Sequence, residues 1–148
     1  MHILDLFTIL CVGLMTGNEL AMSLFVNPAI WRLKAPSGAE VLSILARVLG
    51  KWMPPWYVIS MVLLMTEAYV RRHGAHVYLL YGAVFILAIS IGYSIAFLVP
   101  INNQIARLDA GSPTAGWKEE HTRWDMLHRW RIAMLVGAMA LLIWGVVA

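Results

Sequence analysis

The stretch VYLLYGAVFILAISIGYSIAFLV at 77–99 carries no Asp, Glu, Lys or Arg and ends against Pro100. An uncharged apolar run of more than about 18 residues has the length a helix needs to cross the hydrocarbon of a bilayer. This segment therefore predicts a membrane span. Reading outward from it, three further spans are expected at 6–30, 55–70 and 125–148. The first holds Pro28 near its end, and the Met53-Pro54-Pro55-Trp56 run reads as a breaker that opens the second. The last is apolar only over 132–148, short for about 30 Å of hydrocarbon. It is expected to continue an amphipathic helix that begins after Pro113.

Between the first two spans, Ser37-Gly38-Ala39-Glu40 has the spacing of a capping box. Val41, Leu42, Ile44, Leu45, Val48 and Leu49 follow at helical intervals, with Arg47 and Lys51 among them. That pattern predicts a short amphipathic helix lying in the interface. The expected fold class is all-α: an integral membrane four-helix bundle with this interfacial helix between spans 1 and 2, forming a single transmembrane domain over 1–148.

Composition agrees. Apolar residues make up 61% of the chain and charged ones 13%, where a soluble domain carries about a quarter charged residues. Mean hydropathy is +0.74. The net charge of +3 does not point to nucleic acid, because the basic residues flank apolar segments and form no solvated patch. The single cysteine, Cys11, lies in an apolar run and rules out an internal disulfide. The N-terminal MHILDLF lacks the basic n-region of a secretory signal, so the first segment is expected to be retained as a helix.

Arg32, Lys34, Arg47, Lys51, Arg107, Lys118, Arg123, Arg129 and Arg131 flank the first and third loops, against Arg71 and Arg72 on the other side. By the positive-inside rule this predicts a multi-pass protein of the cell (inner) membrane with both termini outside the cytoplasm. Trp31, Trp52, Trp56, Trp117, Trp124 and Trp130 fall at the same predicted interface. Gly13, Gly17 and Ala21 form a small-residue step that lets backbones approach closely, for another span or for a second copy in a homo-oligomer.

Polar residues then single out a site. Thr16, Glu19, Ser23 and Asn27 lie on one face of the first helix. An ionisable group at bilayer depth costs roughly 2.5 kcal/mol or more, so Glu19 is expected to face a protein interior or a wet cavity. Trp117, His121, Trp124, Asp125, His128 and Arg131 share a broad face of the fourth helix, which enters from the side where the third span ends in Val99-Pro100-Ile101-Asn102-Asn103. The topology brings Glu19 and this face toward one another. His121, Asp125 and His128, with Glu19 as a fourth group, suggest a metal site of two imidazoles and carboxylates. Against it, His121 and His128 are two turns apart, roughly 10 Å along the axis, and no metal is assigned. Glu67 and Arg71 have the spacing of a helical ion pair and read as structural. His2, His73 and His76 receive no role.

The segment VPINNQIARLDAGSPTAGWKEEHTRWDMLHRW at 99–130 resembles the anthrone oxygenase-like family of small membrane proteins, largely a domain of unknown function. The matching features are V-P-x-N at Val99, Pro100 and Asn102, then Trp117, then W-D-x-L-H-x-x-R at Trp124, Asp125, Leu127, His128 and Arg131. GLMTGNELAMSLFVNPAI at 13–30 also resembles the family's first helix. The resemblance implies a four-span bundle, and an oxygenase that converts anthrone-type polyketides to quinones with O₂ and without metal or flavin cofactor.

Such chemistry needs a base for an acidic C–H and a donor beside the developing enolate oxygen. Glu19 or His128 would be the base, Arg131 and Asn102 the oxyanion partners, and Trp124 a platform for a flat polycycle; Asn27 is grouped with the substrate-binding residues. Beyond the lipid bilayer the expected partner is a hydrophobic small molecule. Two other readings stand beside this one. A non-enzymatic membrane protein would bind a lipid, quinone or partner helix, and a metal-dependent oxidoreductase would use His128 and Glu19.

Overall fold

The computed structural model describes residues 3–108 and 117–148. The expected helix start after Pro113, and His2, lie outside the described residues. Among those described, every regular element is helical: α1 (Ile3–Ala21), a π-turn at Met22–Val26, α2 (Asn27–Ile30), α3 (Ala35–Val70), α4 (Val77–Tyr93), a second π-turn at Ser94–Leu98, α5 (Val99–Ile105) and α6 (Trp117–Val147). Read through the π-turns, these make four helices long and apolar enough to cross a membrane: Ile3–Ile30, Pro36–Val70, Val77–Ile105 and Trp117–Val147.

The four pack as a closed ring in which α1 touches α3 and α6, and α4 touches the same two. Val12, Met15, Leu64, Leu80, Leu87, Leu135 and Leu142 fill the interior. Large apolar side chains such as Phe7, Leu14, Val62, Phe85 and Trp144 cover the outside. Helices apolar on both inner and outer faces suit a lipid surrounding.

The prolines overturn three expectations. Pro54 and Pro55 do not open a new helix; they lie inside α3, a single helix of 36 residues. The interfacial helix and the second span are therefore one rod, about 54 Å long at 1.5 Å per residue. Two successive prolines deprive the Gly50 and Lys51 carbonyls of their usual donors. The axis survives because each flank is anchored separately. Leu42 and Ala46 pack with Ile30, Ile101 and Ile105, while Tyr57 and Leu64 pack in the central core. Ser37 is likewise no cap, since α3 begins at Ala35 with Lys34 as its N-cap and Pro36 in its first turn, where a missing N–H is harmless.

Pro100, finally, does not stop the third helix, which continues to Ile105. The wider turn before it, closed by Val99 N–H to the Ser94 carbonyl, admits the ring without the clash that a regular turn would impose. Pro28 follows a matching π-turn closed by Asn27 N–H to the Met22 carbonyl.

The tightest helix contact uses glycines other than those singled out above. A Cβ on Gly145 of α6 would lie 2.9 Å from Leu80 Cδ2 of α4, and one on Gly82 would lie 3.2 Å from Leu141. Gly13 faces Met139 at 3.9 Å, and nothing lies within 4 Å of the Cβ position of Gly17.

Candidate functional site

Thr16, Glu19, Ser23 and Asn27 are all buried, so the polar stripe of the first helix does turn inward. Opposite it, α6 presents His128, fully buried, and Arg131, with Trp124 and Asp125 half-buried beside them. The Glu19 carboxylate is the meeting point. Its Oε2 lies 2.6 Å from His128 Nε2 and 2.6 Å from Arg131 Nη2. Its Oε1 accepts from the Tyr57 hydroxyl of α3 at 3.0 Å. Arg131 Nη1 reaches Ser94 Oγ at 3.4 Å, and Ser94 itself donates to the Ser90 carbonyl at 2.7 Å.

Glu19 and Arg131 cancel each other's charge within the bundle, which lets both sit at bilayer depth. His128 engages the carboxylate through Nε2 alone, and its Nδ1 is buried without a hydrogen-bond partner. Trp124 holds the imidazole from its other face, with ring centroids 4.4 Å apart and planes 20° from parallel.

Against this cluster lies a cavity of about 270 Å³, close to the lower bound of drug-sized ligand sites. Its polar wall is Glu19, Tyr57, Ser94, Asn102, Trp124 and Arg131; the remainder is apolar, including Met22, Leu49, Met53 and Leu98. Val58, Ile95 and Val99 also line it and are themselves exposed on the outer face of the bundle. The cavity thus reaches the outer surface between α3 and the π-turn that follows α4. Asn102 is held at the wall by its amide, which donates to the Ala46 carbonyl at 3.1 Å. Gly50 leaves room for it, since a Cβ there would lie 3.2 Å from that nitrogen.

Of the six residues picked from the sequence, Glu19, Asn102, Trp124 and Arg131 line the cavity. His128 sits behind Glu19 and supports it. Asn27 is displaced toward the Trp31 end, where it donates to Asp125 Oδ1 at 2.8 Å. Asp125 is also paired with Arg129 at 3.0 Å, and among the described residues no three His, Cys, Asp or Glu side chains are grouped to hold a metal ion. Sequence reading missed Tyr57 and Ser94. For Tyr57 a signal existed: a phenol inside a lipid-crossing segment must find a hydrogen-bond partner, and a buried acid is the strongest acceptor nearby.

The anthrone oxygenase family model matches residues 42–141. The chain belongs to the anthrone oxygenase family. No curated protein and no solved structure matches it. The segment that carries the family match supplies the cavity-lining Tyr57, Ser94, Asn102, Trp124 and Arg131, and His128 behind them. Glu19, the group that Tyr57, His128 and Arg131 all contact, lies on the helix before that segment.

Proposed function

We propose that the protein is a cofactor-independent oxygenase of flat, enolisable aromatic molecules of the anthrone type, which it takes from the bilayer. The observation that supports it is a carboxylate–guanidinium pair on the polar wall of a largely apolar cavity that reaches the lipid side. Family membership supports the same reaction class.

The pair suits proton abstraction beside a carbonyl. Glu19 takes the proton from the substrate methylene, and the negative charge moves to the substrate oxygen. Arg131, released from the neutralised acid, then faces the enolate. One ion pair replaces another, so the cavity's net charge does not change during the step, which is where a low-dielectric site would otherwise impose a large penalty. Tyr57 and Asn102 add donors for the same oxygen, and Trp124 stacks on the ring system.

The electron-rich carbanion passes an electron to O₂, and the radical pair combines into a peroxide, protonated by the acid. Loss of the second methylene proton expels water from the peroxide and leaves the carbonyl. The sum is CH₂ plus O₂ giving C=O plus H₂O, with no external reductant. His128, behind Glu19, holds the carboxylate in place throughout.

A second reading has one observation in its favour: Glu19 already has three hydrogen-bond partners, as a purely structural acid would. On that reading the cavity binds a lipid or quinone without turnover. O₂ consumption by purified protein with a model anthrone separates the two. Rates above the uncatalysed background, lost in Glu19→Gln, support the oxygenase. Background rates together with saturable thermal stabilisation by the same compound leave the binding role.

We further propose, from the Lys and Arg distribution, that the Trp31 end faces the cytoplasm in the inner membrane with both termini outside. A homo-oligomer through Gly13, Gly17 and Ala21 is part of the same proposal; the open space at Gly17 supports it, whereas Gly13 faces Met139 of the same chain.

A further inference from the structure

Six residues of α3 line the large cavity: Leu49, Gly50, Met53, Pro54, Tyr57 and Val58. Their spacing keeps them on one face of the helix. Gly50 has no side chain, so its share of that wall is bare backbone. Gly50, Pro54 and Val58, each one turn from the next, are exposed and form the α3 side of the mouth. Among the described residues, the only atom beyond the local helix backbone within 4 Å of a Cβ placed on Gly50 is Asn102 Nδ2, at 3.2 Å.

A helical carbonyl points along the axis toward the N–H four residues on. For Gly50 that residue is Pro54, whose ring nitrogen carries no hydrogen. The hydrogen bond that Asn102 Nδ2 makes here goes to the Ala46 carbonyl, one turn earlier. The Gly50 carbonyl is thus an acceptor without its helical donor, on a wall where Leu49, Met53, Pro54 and Val58 are all apolar. An acceptor in such surroundings favours a ligand that brings a donor to it. Tyr57 stands seven residues further along the same face, roughly 10 Å at 1.5 Å per residue, and its hydroxyl meets Glu19. One wall therefore carries two polar stations, the Glu19–Tyr57 cluster and, two turns away, the Gly50 carbonyl. Lys51, deprived of its donor in the same way by Pro55, lies outside the cavity lining, as does Pro55.

We propose that the Gly50 carbonyl is a specificity-determining acceptor, by which the cavity selects flat aromatic molecules with a hydroxyl on the edge remote from Glu19. The hydroxyl donates to Gly50 while the opposite end of the ring system meets Glu19, Tyr57 and Arg131. This subsite rests on the proposed function only for the aromatic shape of the occupant, and turnover is not needed to detect it.

Binding of two quinones tests it, since anthraquinone and 2-hydroxyanthraquinone lack the reactive methylene. Quenching of tryptophan fluorescence, to which Trp124 on the cavity wall contributes, reads binding to full-length protein in detergent, at a pH that keeps the phenol protonated. The ratio of the two dissociation constants is compared between variants, so that partition into micelles cancels. Pro54→Ala and the bulkier Pro54→Val each restore an N–H to the Gly50 carbonyl and add a helical hydrogen bond. Both should reduce the preference for the hydroxyl compound by at least about fivefold. Pro55→Ala, which restores the donor of Lys51 instead, should keep that preference within about twofold. An unchanged preference in both Pro54 variants would place the acceptor elsewhere, and a loss in only one would make the effect one of shape; either overturns the proposal. A protein that binds neither quinone overturns it together with the aromatic occupant of the cavity. A hydroxyl preference that depends on Pro54, without O₂ consumption from a model anthrone, rejects the oxygenase and leaves the subsite standing.

Discussion

Among the described residues, two acid–arginine clusters join α1 to another helix. At one end Arg71 bridges Asp5 at 3.0 Å and Glu67 at 2.6 Å. In the middle Arg131 meets Glu19 at 2.6 Å, with His128 and Tyr57 on the same carboxylate. By burial of the acids they are alike, at 1% for Asp5 and Glu67 and 3% for Glu19. They differ in what lies beside them. The wall of the large cavity includes Glu19 and Arg131 and not Asp5, Glu67 or Arg71. A buried carboxylate alone is therefore a poor sign of chemistry; a carboxylate whose counter-ion shares a substrate-sized space with it is a better one.

The largest contrast should come from the acids. Glu19→Gln keeps the shape and removes the base, so O₂ consumption with a model anthrone should fall about 10²- to 10⁴-fold, the usual contribution of general-base catalysis. Glu67→Gln should stay within about twofold of the unmodified rate, as expected for a group remote from the reacting atoms. Equal losses in the two variants would erase the distinction between the clusters.

Replacing the cations comes next. Arg131→Met removes the enolate's counter-ion, and loss of one such stabilising group costs about 10²- to 10³-fold in rate. It also leaves Glu19 buried without its partner, a loss of about 3–5 kcal/mol. The double variant Glu19→Gln/Arg131→Met should therefore unfold at a higher temperature than Arg131→Met alone. Thermal unfolding in detergent reads this, and a double variant that is less stable than the single one would contradict a coupled pair.

How much of this contrast was legible in the chain depends on the kind of signal. Charge-free length at 77–99 and the polar stripe through Glu19 are properties of neighbouring residues, and both survive folding intact. The approach of His128 and Arg131 to Glu19 followed from counting spans, because the two intervening crossings return the chain to the side on which the first helix ends. What did not follow was local. Pro54–Pro55 and Pro100 were read as breaks, but tertiary packing on both flanks and π-turns carry the helices through. Tyr57 and Ser94 already fall within the expected spans 55–70 and 77–99; their partners Glu19 and Arg131 stand on other helices, and no local pattern reveals them. Asn27 was assigned to the substrate on its helical phase alone; its partner Asp125 belongs to a helix 98 positions later and no local pattern reveals it.

Tyr57 offers a finer test of the inner cluster. Its hydroxyl is one of three partners of Glu19, and a hydrogen bond to a charged group contributes about 1.5–3 kcal/mol. Tyr57→Phe should lower the rate by about tenfold, because the remaining guanidinium and imidazole still hold the carboxylate. A loss as large as that of Glu19→Gln would instead give the phenol a direct part in proton transfer.

The smallest effect on turnover belongs to Arg71, and it is the sharpest check on the comparison because the expected changes in stability and activity part company. Arg71 is 28% exposed by side chain, whereas its two acids are buried. Arg71→Met leaves those carboxylates without the guanidinium that joins α1 to the end of α3, and a lowered unfolding temperature should follow, corresponding to about 1–3 kcal/mol. No atom of this cluster borders the large cavity, so O₂ consumption below the transition should stay within about twofold. A variant that is as stable as the unmodified protein would show the outer cluster to be a solvated surface pair. One that is stable but inactive would reveal coupling along α1 between Asp5 and Glu19, and the two clusters would then have to be treated as one device.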